Sequence, residues 1–277
     1  MRHWEYKGKG FHRIEIKEGK QFNVSEEDID KTGYYKPSLY ANWYIQLDGD
    51  LRTDIPADIY DVDLFDTPKE TIEELKQNGK KVICYFNAGA YEDWREDAYK
   101  FDPEDIGKPM EDWEGEYWLN IKSEKVRQIM VERMELAKSK GCDGVDPDNV
   151  NGYQQDTGFD LTYQDQLNYN IFLSREAHKL GLSIGLKNDL EQINDLVDYF
   201  DFAVNEECHQ YDECDMLSPF IQNGKPVFNI EYDEKYLNDE TEFLNLCQDA
   251  HRRGFKTVVM PWDLDGSFVK SCDYGEW

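Results

Sequence analysis

The stretch Gly141-Cys-Asp-Gly-Val-Asp-Pro-Asp-Asn-Val-Asn-Gly-Tyr153 runs a short apolar strand (Cys142, Gly144, Val145) straight into Asp143, Asp146 and Asp148 and then into turn residues. Carboxylates at the C-terminal end of a strand are where a parallel α/β enzyme places its chemistry. An acidic, Asx-rich turn that merely caps the next segment is the competing reading of these residues alone. A second acidic strand end, Phe202-Ala-Val-Asn-Glu-Glu-Cys208, follows two βα units later and favours the first reading. Two carboxylate clusters on strand ends of one sheet can face each other across a cleft.

On either side the chain is regular. Apolar or alternating runs predict strands at residues 40–47, 59–65 and 82–87 before the opening stretch, and at 182–186, 200–204, 226–230 and 255–260 after it. Thr67-Pro-Lys-Glu70 supplies an N-cap, a proline at the first helical position and a capping-box acid. A second helix starts at Ser123 and repeats Val126, Ile129, Met130, Met134 and Ala137 at helical spacing, and Thr162-x-x-Asp165 caps a third. Gly79, Gly141, Gly181, Gly224 and Gly254 each stand between a helical or polar stretch and the next strand, the place for a left-handed C-cap. Eight such strands alternating with helices predict a (β/α)8 TIM barrel over residues 38–277, preceded by a short, charged N-terminal extension, 1–37, that reads as a hairpin. A doubly wound sheet is the runner-up, disfavoured because no glycine-rich phosphate loop follows any strand. Between the third strand and the second helix lies an aromatic loop too long for an ordinary βα connection, of the kind that usually carries function.

With 59 acids against 31 Lys and Arg, the 277-residue chain carries a net charge of −28. Such a field repels nucleic acid and anionic membrane and attracts cations. No apolar run is long enough to span a bilayer and no signal peptide is visible, so a secreted protein would be present here in mature or trimmed form. Of six cysteines, Cys208 and Cys214 are placed to close a disulfide, whereas Cys84 and Cys142 read as free core thiols; Cys247 falls in a helix and Cys272 in the tail. Asn23-Val-Ser25 is a glycosylation acceptor by pattern.

At a barrel mouth the residues past the strand C-termini converge. Here they are Gln46, Asp61, Asp63, Asn87, Asp146, Asp148, Lys187, Asn188, Asp189, Glu206, Glu207, Glu231 and Tyr232. That set is acidic and amide-rich with one lysine and no histidine, which speaks against histidine-ligated metal hydrolases and Ser-His-Asp catalysis. The spacing Asp146-x-Asp148-x-Val150 fails as a calcium loop, since valine stands where a ligand is needed. Metal and cofactor are therefore expected to be none. Crowded carboxylates without such ligands are the toolkit of glycoside hydrolysis, in which one acid donates a proton and another attacks or activates water.

The segments Asp143-Gly-Val-Asp146-Pro-Asp148-Asn149, Ile184-Gly-Leu-Lys187-Asn188-Asp189, Asn205-Glu206-Glu207-Cys208 and Val227-Phe-Asn-Ile-Glu231-Tyr232 together resemble glycoside hydrolase family 114. So do Trp43-Tyr-Ile-Gln46-Leu-Asp-Gly49, Tyr60-Asp61-Val-Asp63 and Cys84-Tyr-Phe-Asn87-Ala-Gly89, and the resemblance covers residues 40–262. It implies a (β/α)8 endo-α-1,4-polygalactosaminidase that cuts a cationic, partly deacetylated galactosamine polymer, with catalytic acids at the ends of strands four and six. Asp148, lying further out of the strand, is the first choice for nucleophile or base ahead of Asp146. Glu206 is the first choice for general acid ahead of Glu207. Gln46, Asp61, Asp63, Asn87, Asn149, Lys187, Asn188, Asp189, Glu231 and Tyr232 are expected to position substrate, and Tyr91, Trp94, Tyr153 and Trp262, with Trp113 and Trp118, to stack on sugars. The partner is a polysaccharide rather than nucleic acid or membrane, and the protein is expected to be a monomer, secreted or at the cell surface. A silent polysaccharide-binding barrel and a glycosidase of other sugar specificity are the alternatives. The echo of the chitinase Asp-x-x-Asp-x-Asp-x-Glu pattern breaks at Val150.

Overall fold

The computed structural model describes residues 33–277 and the backbone of two earlier strands, Arg2–Tyr6 and Phe11–Glu15, which pair antiparallel. Asn23 lies outside the described residues. The chain joins the main fold through Tyr34 and Tyr35, both buried, and Tyr34 stacks on His178.

Eight strands form the sheet: β1 (Trp43–Gln46), β2 (Ile59–Asp63), β3 (Lys81–Asn87), β4 (Gly144–Asp148), β5 (Ser183–Lys187), β6 (Phe202–Glu206), β7 (Val227–Glu231) and β8 (Lys256–Val259). Each pairs in parallel with its neighbours in chain order. Their near-continuous burial is what a parallel sheet covered on both faces requires. Helices α1 (Lys69–Gln77), α2 (Glu124–Lys140), α3 (Tyr163–Lys179), α4 (Ile193–Leu196), α5 (Ser218–Gln222), α6 (Lys235–Asn238) and α7 (Glu240–Arg253) fill the crossovers after β2. The β1–β2 connection has no helix. The fold is a (β/α)8 TIM barrel, as expected, and every expected strand is present.

The seam between β8 and β1 is closed by side chains; among the described residues no backbone ladder joins them. Trp43 Nε1 donates to the Lys256 carbonyl at 2.9 Å, and the Tyr274 hydroxyl donates to the Trp43 carbonyl at 2.8 Å. Tyr274 is held there by a C-terminal ribbon that pairs antiparallel with β8.

Local signals held for α2, capped by Ser123, and α3, whose Thr162–Asp165 capping box forms in both directions. Gly141 ends α2 in the left-handed region (φ 90°), where a Cβ would meet the preceding carbonyl. Three expectations need correction. Helix α1 starts one residue late: Pro68 takes the cap position without a side-chain bond, and Thr67 is buried. The long loop after β3 holds its own antiparallel sheet, Ala90–Glu92, Ile106–Pro109 and Glu116–Leu119; these segments are short, and a register irregularity between Ile106 and Pro109 hides their alternation. Cys84 and Cys142 are not free thiols but a disulfide, because β3 and β4 are neighbours and bring the two Cα atoms to 6.0 Å. Cys208–Cys214 and Cys247–Cys272 are also bonded.

Candidate active site

Alternation along β4 puts Asp146 and Asp148 on one face, with Asp146 fully buried and Asp148 one layer higher at the barrel mouth. Beyond Asp148 the chain turns through Asn149 in the left-handed region (φ 59°). Its carbonyl presses on Gly89, where a Cβ would stand 1.7 Å away, so only glycine fits the β3 end against this turn. Glu206 is the last residue of β6 and Lys187 the last of β5, between them.

Lys187 joins the two acids. Its Nζ lies 3.5 Å from Asp148 Oδ1 and 3.4 Å from Glu206 Oε1, and its side chain is 4% exposed. Asp148 also accepts from the Tyr85 hydroxyl at 2.5 Å and from the Asn149 amide at 2.8 Å. Glu206 accepts from the Tyr232 hydroxyl at 2.7 Å and from Asn188 Nδ2 at 3.3 Å, while the Asn188 carbonyl oxygen takes the Glu206 amide. Each carboxylate is thus held by an ammonium, a tyrosine and an amide.

These contacts set the charges. Burial works to raise Glu206, but Lys187, Tyr232 and Asn188 hold its carboxyl below the usual range. Burial works to lower Lys187; Asp148, Glu206 and Asp146 outweigh it and keep the ammonium well above its ordinary value. Beneath them Asp61 is pushed well up, first by burial and then by the Asp146 carboxylate. Asp146 is itself raised by burial, with Lys187 and Asp61 opposing.

Above the pair opens a cleft of about 960 Å³ lined by eleven carboxyl residues and only three cationic ones, Arg95, Lys108 and Lys187. All three cations are already paired, Arg95 with Asp63, Glu92 and Asp66, and Lys108 with Asp156. The cleft therefore presents uncompensated negative charge, the surface that a cationic ligand needs.

Of the residues expected from sequence, Asp148, Glu206, Asp63, Asn149, Lys187, Asn188, Tyr232, Trp94 and Trp262 line this cleft. Trp113 and Trp118 line it too. Asp63 does so with its carboxylate engaged by Arg95 at 2.7 Å and by the amides of Phe65 and Asp66. The others do not line the cleft. Gln46 clamps the β1–β2 loop, accepting from Tyr44 and the Arg52 amide and donating to the Asp48 and Asp50 carbonyls. Asn87 holds the turn after β3 through the Gly89 and Ala90 amides. Asp146 and Asp61 form the buried pair below. Asp189 accepts from Asn170 and is raised by burial to about 8. Glu231 is also raised by burial, to about 7, with Asn229 and the Gln210 amide opposing. Tyr91 packs edge-on against Phe101 and Tyr153 against Tyr163. Glu207 leaves the strand in the left-handed region (φ 62°) and does not line the cleft.

Among the cleft residues that escaped the sequence reading are Tyr85, Glu92, Arg95 and Glu116. Tyr85 had a usable signal, since it shares strand parity with Asn87. Glu92 and Glu116 are cross-strand partners in the loop sheet, and Arg95 lies in the turn just after its first strand. Burial, then the charges of Glu92 and Asp148, raise Glu116 to about 7.

A parallel barrel with two carboxylates facing one acidic cleft at its C-terminal mouth defines a glycoside hydrolase scaffold. Residues 25–276 match the model of glycoside-hydrolase family GH114, and the chain belongs to that family. It is similar to Aspergillus fumigatus Ega3, whose crystal structure is a complex with galactosamine, at 44% identity and a TM-score of 0.80 over 86% of this chain and 97% of that one. The glycoside hydrolase domain of PelA from Pseudomonas aeruginosa shares the fold at 14% identity and a TM-score of 0.65, over 82% of this chain and 96% of that domain. No curated protein sequence matches.

Proposed function

We propose that this protein is an endo-acting glycoside hydrolase cleaving α-1,4-linked galactosamine polymers, with Asp148 and Glu206 as its catalytic pair. The observation that carries the assignment is the shared Lys187 ammonium, which gathers one carboxylate from β4 and one from β6 at the base of an acidic cleft. The likeness to a galactosamine-bound relative and the excess of carboxylates both support an amino-sugar polymer that is cationic once deacetylated. In this reading Asp148 attacks the anomeric carbon and Glu206 protonates the departing glycosidic oxygen, then activates the water that releases the product. The two oxygens nearest Lys187 are separated by no more than the two contact distances end to end, about 7 Å. That bound on the nearest oxygens accommodates the short carboxyl separation of retaining enzymes. Lys187, Asn188, Tyr85 and Tyr232 orient the pair; Asn149, Trp94 and Trp262 contact sugar.

Three disulfides among the described residues support a secreted or cell-surface location, where thiols oxidise. No helix among the described residues is long and apolar enough to cross a membrane.

The test is incubation with deacetylated galactosaminan and mass spectrometry of the products. Short oligomers from wild type and none from Asp148→Asn or Glu206→Gln support the assignment. Tight binding without cleavage by wild type makes the barrel a binding module instead. Azide rescue separates the roles: Asp148→Gly yields a glycosyl azide of inverted configuration and Glu206→Ala one of retained configuration.

A further inference from the structure

Trp113 and Trp262 stack on each other over the cleft, ring centroids 6.1 Å apart and planes within 14°. They come from separate places in the chain, Trp113 from the turn of the loop sheet that follows β3 and Trp262 from the loop after β8. Both line the cleft, yet they remain 44% and 55% exposed. Parting them therefore uncovers little that is not already wet.

The second observation is where Trp262 leads. Its other contact is edge-on with Tyr232, centroids 4.9 Å apart at 67°. The Tyr232 hydroxyl is the 2.7 Å donor to Glu206 Oε2. One unbroken line of contact thus joins the exposed indole pair to the catalytic carboxyl.

We propose that this indole pair is the collapsed form of a sugar subsite: a pyranose unit of the polymer inserts between Trp113 and Trp262, and the resulting shift of Trp262 draws the Tyr232 hydroxyl away from Glu206. The inference rests on the function proposed above and assigns part of its substrate site. A sugar between two rings needs van der Waals spacing on both sides, roughly 7–8 Å between the planes. The indole planes are no further apart than their 6.1 Å centroid distance, so the pair must open to admit it. The axial C–H bonds of the sugar then meet the ring faces, and a protonated 2-amino group adds attraction to the π cloud.

Opening supplies what a general acid in this position needs. In the empty cleft Glu206 is a carboxylate, kept so by Lys187, Tyr232 and Asn188 against burial. Its charged surroundings are Lys187 on β5, Asp146 and Asp148 on β4, Glu207 beside it in the chain, and the Tyr232 phenol after β7. Withdrawing the Tyr232 hydrogen bond removes one stabiliser of the charged form, and Glu206 takes a proton from solvent as the sugar arrives. The acid is thereby armed by occupancy of the subsite.

The experiment follows the indole pair by far-ultraviolet circular dichroism, where the strong indole transitions of two stacked rings give an exciton couplet. Galactosamine oligomers titrated into the Asp148→Asn variant are expected to abolish the couplet at saturation. Wild type saturated with product oligomers gives the same reading if that variant does not fold. Trp113→Ala lacks the couplet at the outset and is expected to raise KM about tenfold, the loss of one stacking contact. Tyr232→Phe is expected to move the alkaline limb of kcat/KM to higher pH, because Glu206 then keeps its proton longer; Trp262→Ala, which deletes the lever and leaves the Tyr232 hydrogen bond on Glu206, is expected to move the alkaline limb of kcat to lower pH, whereas Trp113→Ala leaves the limb of kcat/KM in place. A couplet of full strength in the saturated complex, or unmoved limbs in both Trp262→Ala and Tyr232→Phe, overturns the inference while cleavage by wild type leaves the enzyme assignment standing. A wild type that neither binds nor cleaves galactosamine oligomers overturns both.

Discussion

Replacing Lys187 by Met keeps the length of the side chain and deletes the one cation between Asp148 and Glu206. At an effective dielectric of about 20, a unit charge at 3.4–3.5 Å from each carboxylate is worth roughly 5 kcal/mol per pair before desolvation is counted. Lys187 is almost fully buried, so its own desolvation cancels much of this. Removing one partner of such a buried cluster costs about 3–5 kcal/mol, because the carboxylates left behind have no counter-charge. For a domain of this size the melting temperature at pH 7 is expected to fall by roughly 6–20 °C. The sign of the pH dependence is the sharper test. In the wild type Glu206 titrates below its unfolded value, so it contributes stability above that value and loses it as pH falls through the folded one. In Lys187→Met burial acts without the opposing ammonium and the shift reverses, so destabilisation grows as pH rises and fades on acidification. Thermal or urea unfolding at pH 4 and pH 7 reads the difference. A loss below about 1 kcal/mol at pH 7, or an equal loss at both pH values, refutes the assignment of Lys187 as the common counter-charge.

Tyr85→Phe removes one donor from Asp148 and is expected to lower kcat/KM by roughly 10- to 100-fold, the worth of a hydrogen bond to a charged group, with little change in melting temperature. Asp189, raised by burial to about 8, destabilises the fold progressively as pH climbs from its unfolded value through 8, so Asp189→Asn is expected to flatten the decline of melting temperature between pH 6 and 9. Asparagine tolerates the left-handed backbone there (φ 54°), which keeps the comparison free of strain. Cys84→Ser with Cys142→Ser is expected to cost about 2–5 kcal/mol in chemical unfolding, and reductant on the wild type to act in the same direction.

The barrel was legible because its signals are local. Glycines at helix ends, the Ser123 and Thr162 caps and the apolar strand runs each report on a few consecutive residues, and all of these agree with one architecture. The acids at the ends of β4 and β6 were legible for the same reason, since a strand's last residues must emerge at the mouth. Distance along the chain hid the rest. Cys84 and Cys142 are 58 residues apart and meet only because β3 neighbours β4. Glu92 and Glu116 meet across a small sheet whose strands are too short to show a period.

By itself the sequence determined the strand order, the acidic balance of the protein and which residues reach the barrel mouth, because alternation, capping and charge are properties of neighbouring residues. Only the tertiary structure decided which of those residues face open space. Strand alternation puts Asp146 and Asp148 on the same side, and depth in the barrel alone makes one a buried partner of Asp61 and the other a carboxylate against Lys187. Burial and the nearest opposite charge depend on how far the strands are staggered around the ring, and that stagger exists only once eight separate segments have closed upon each other.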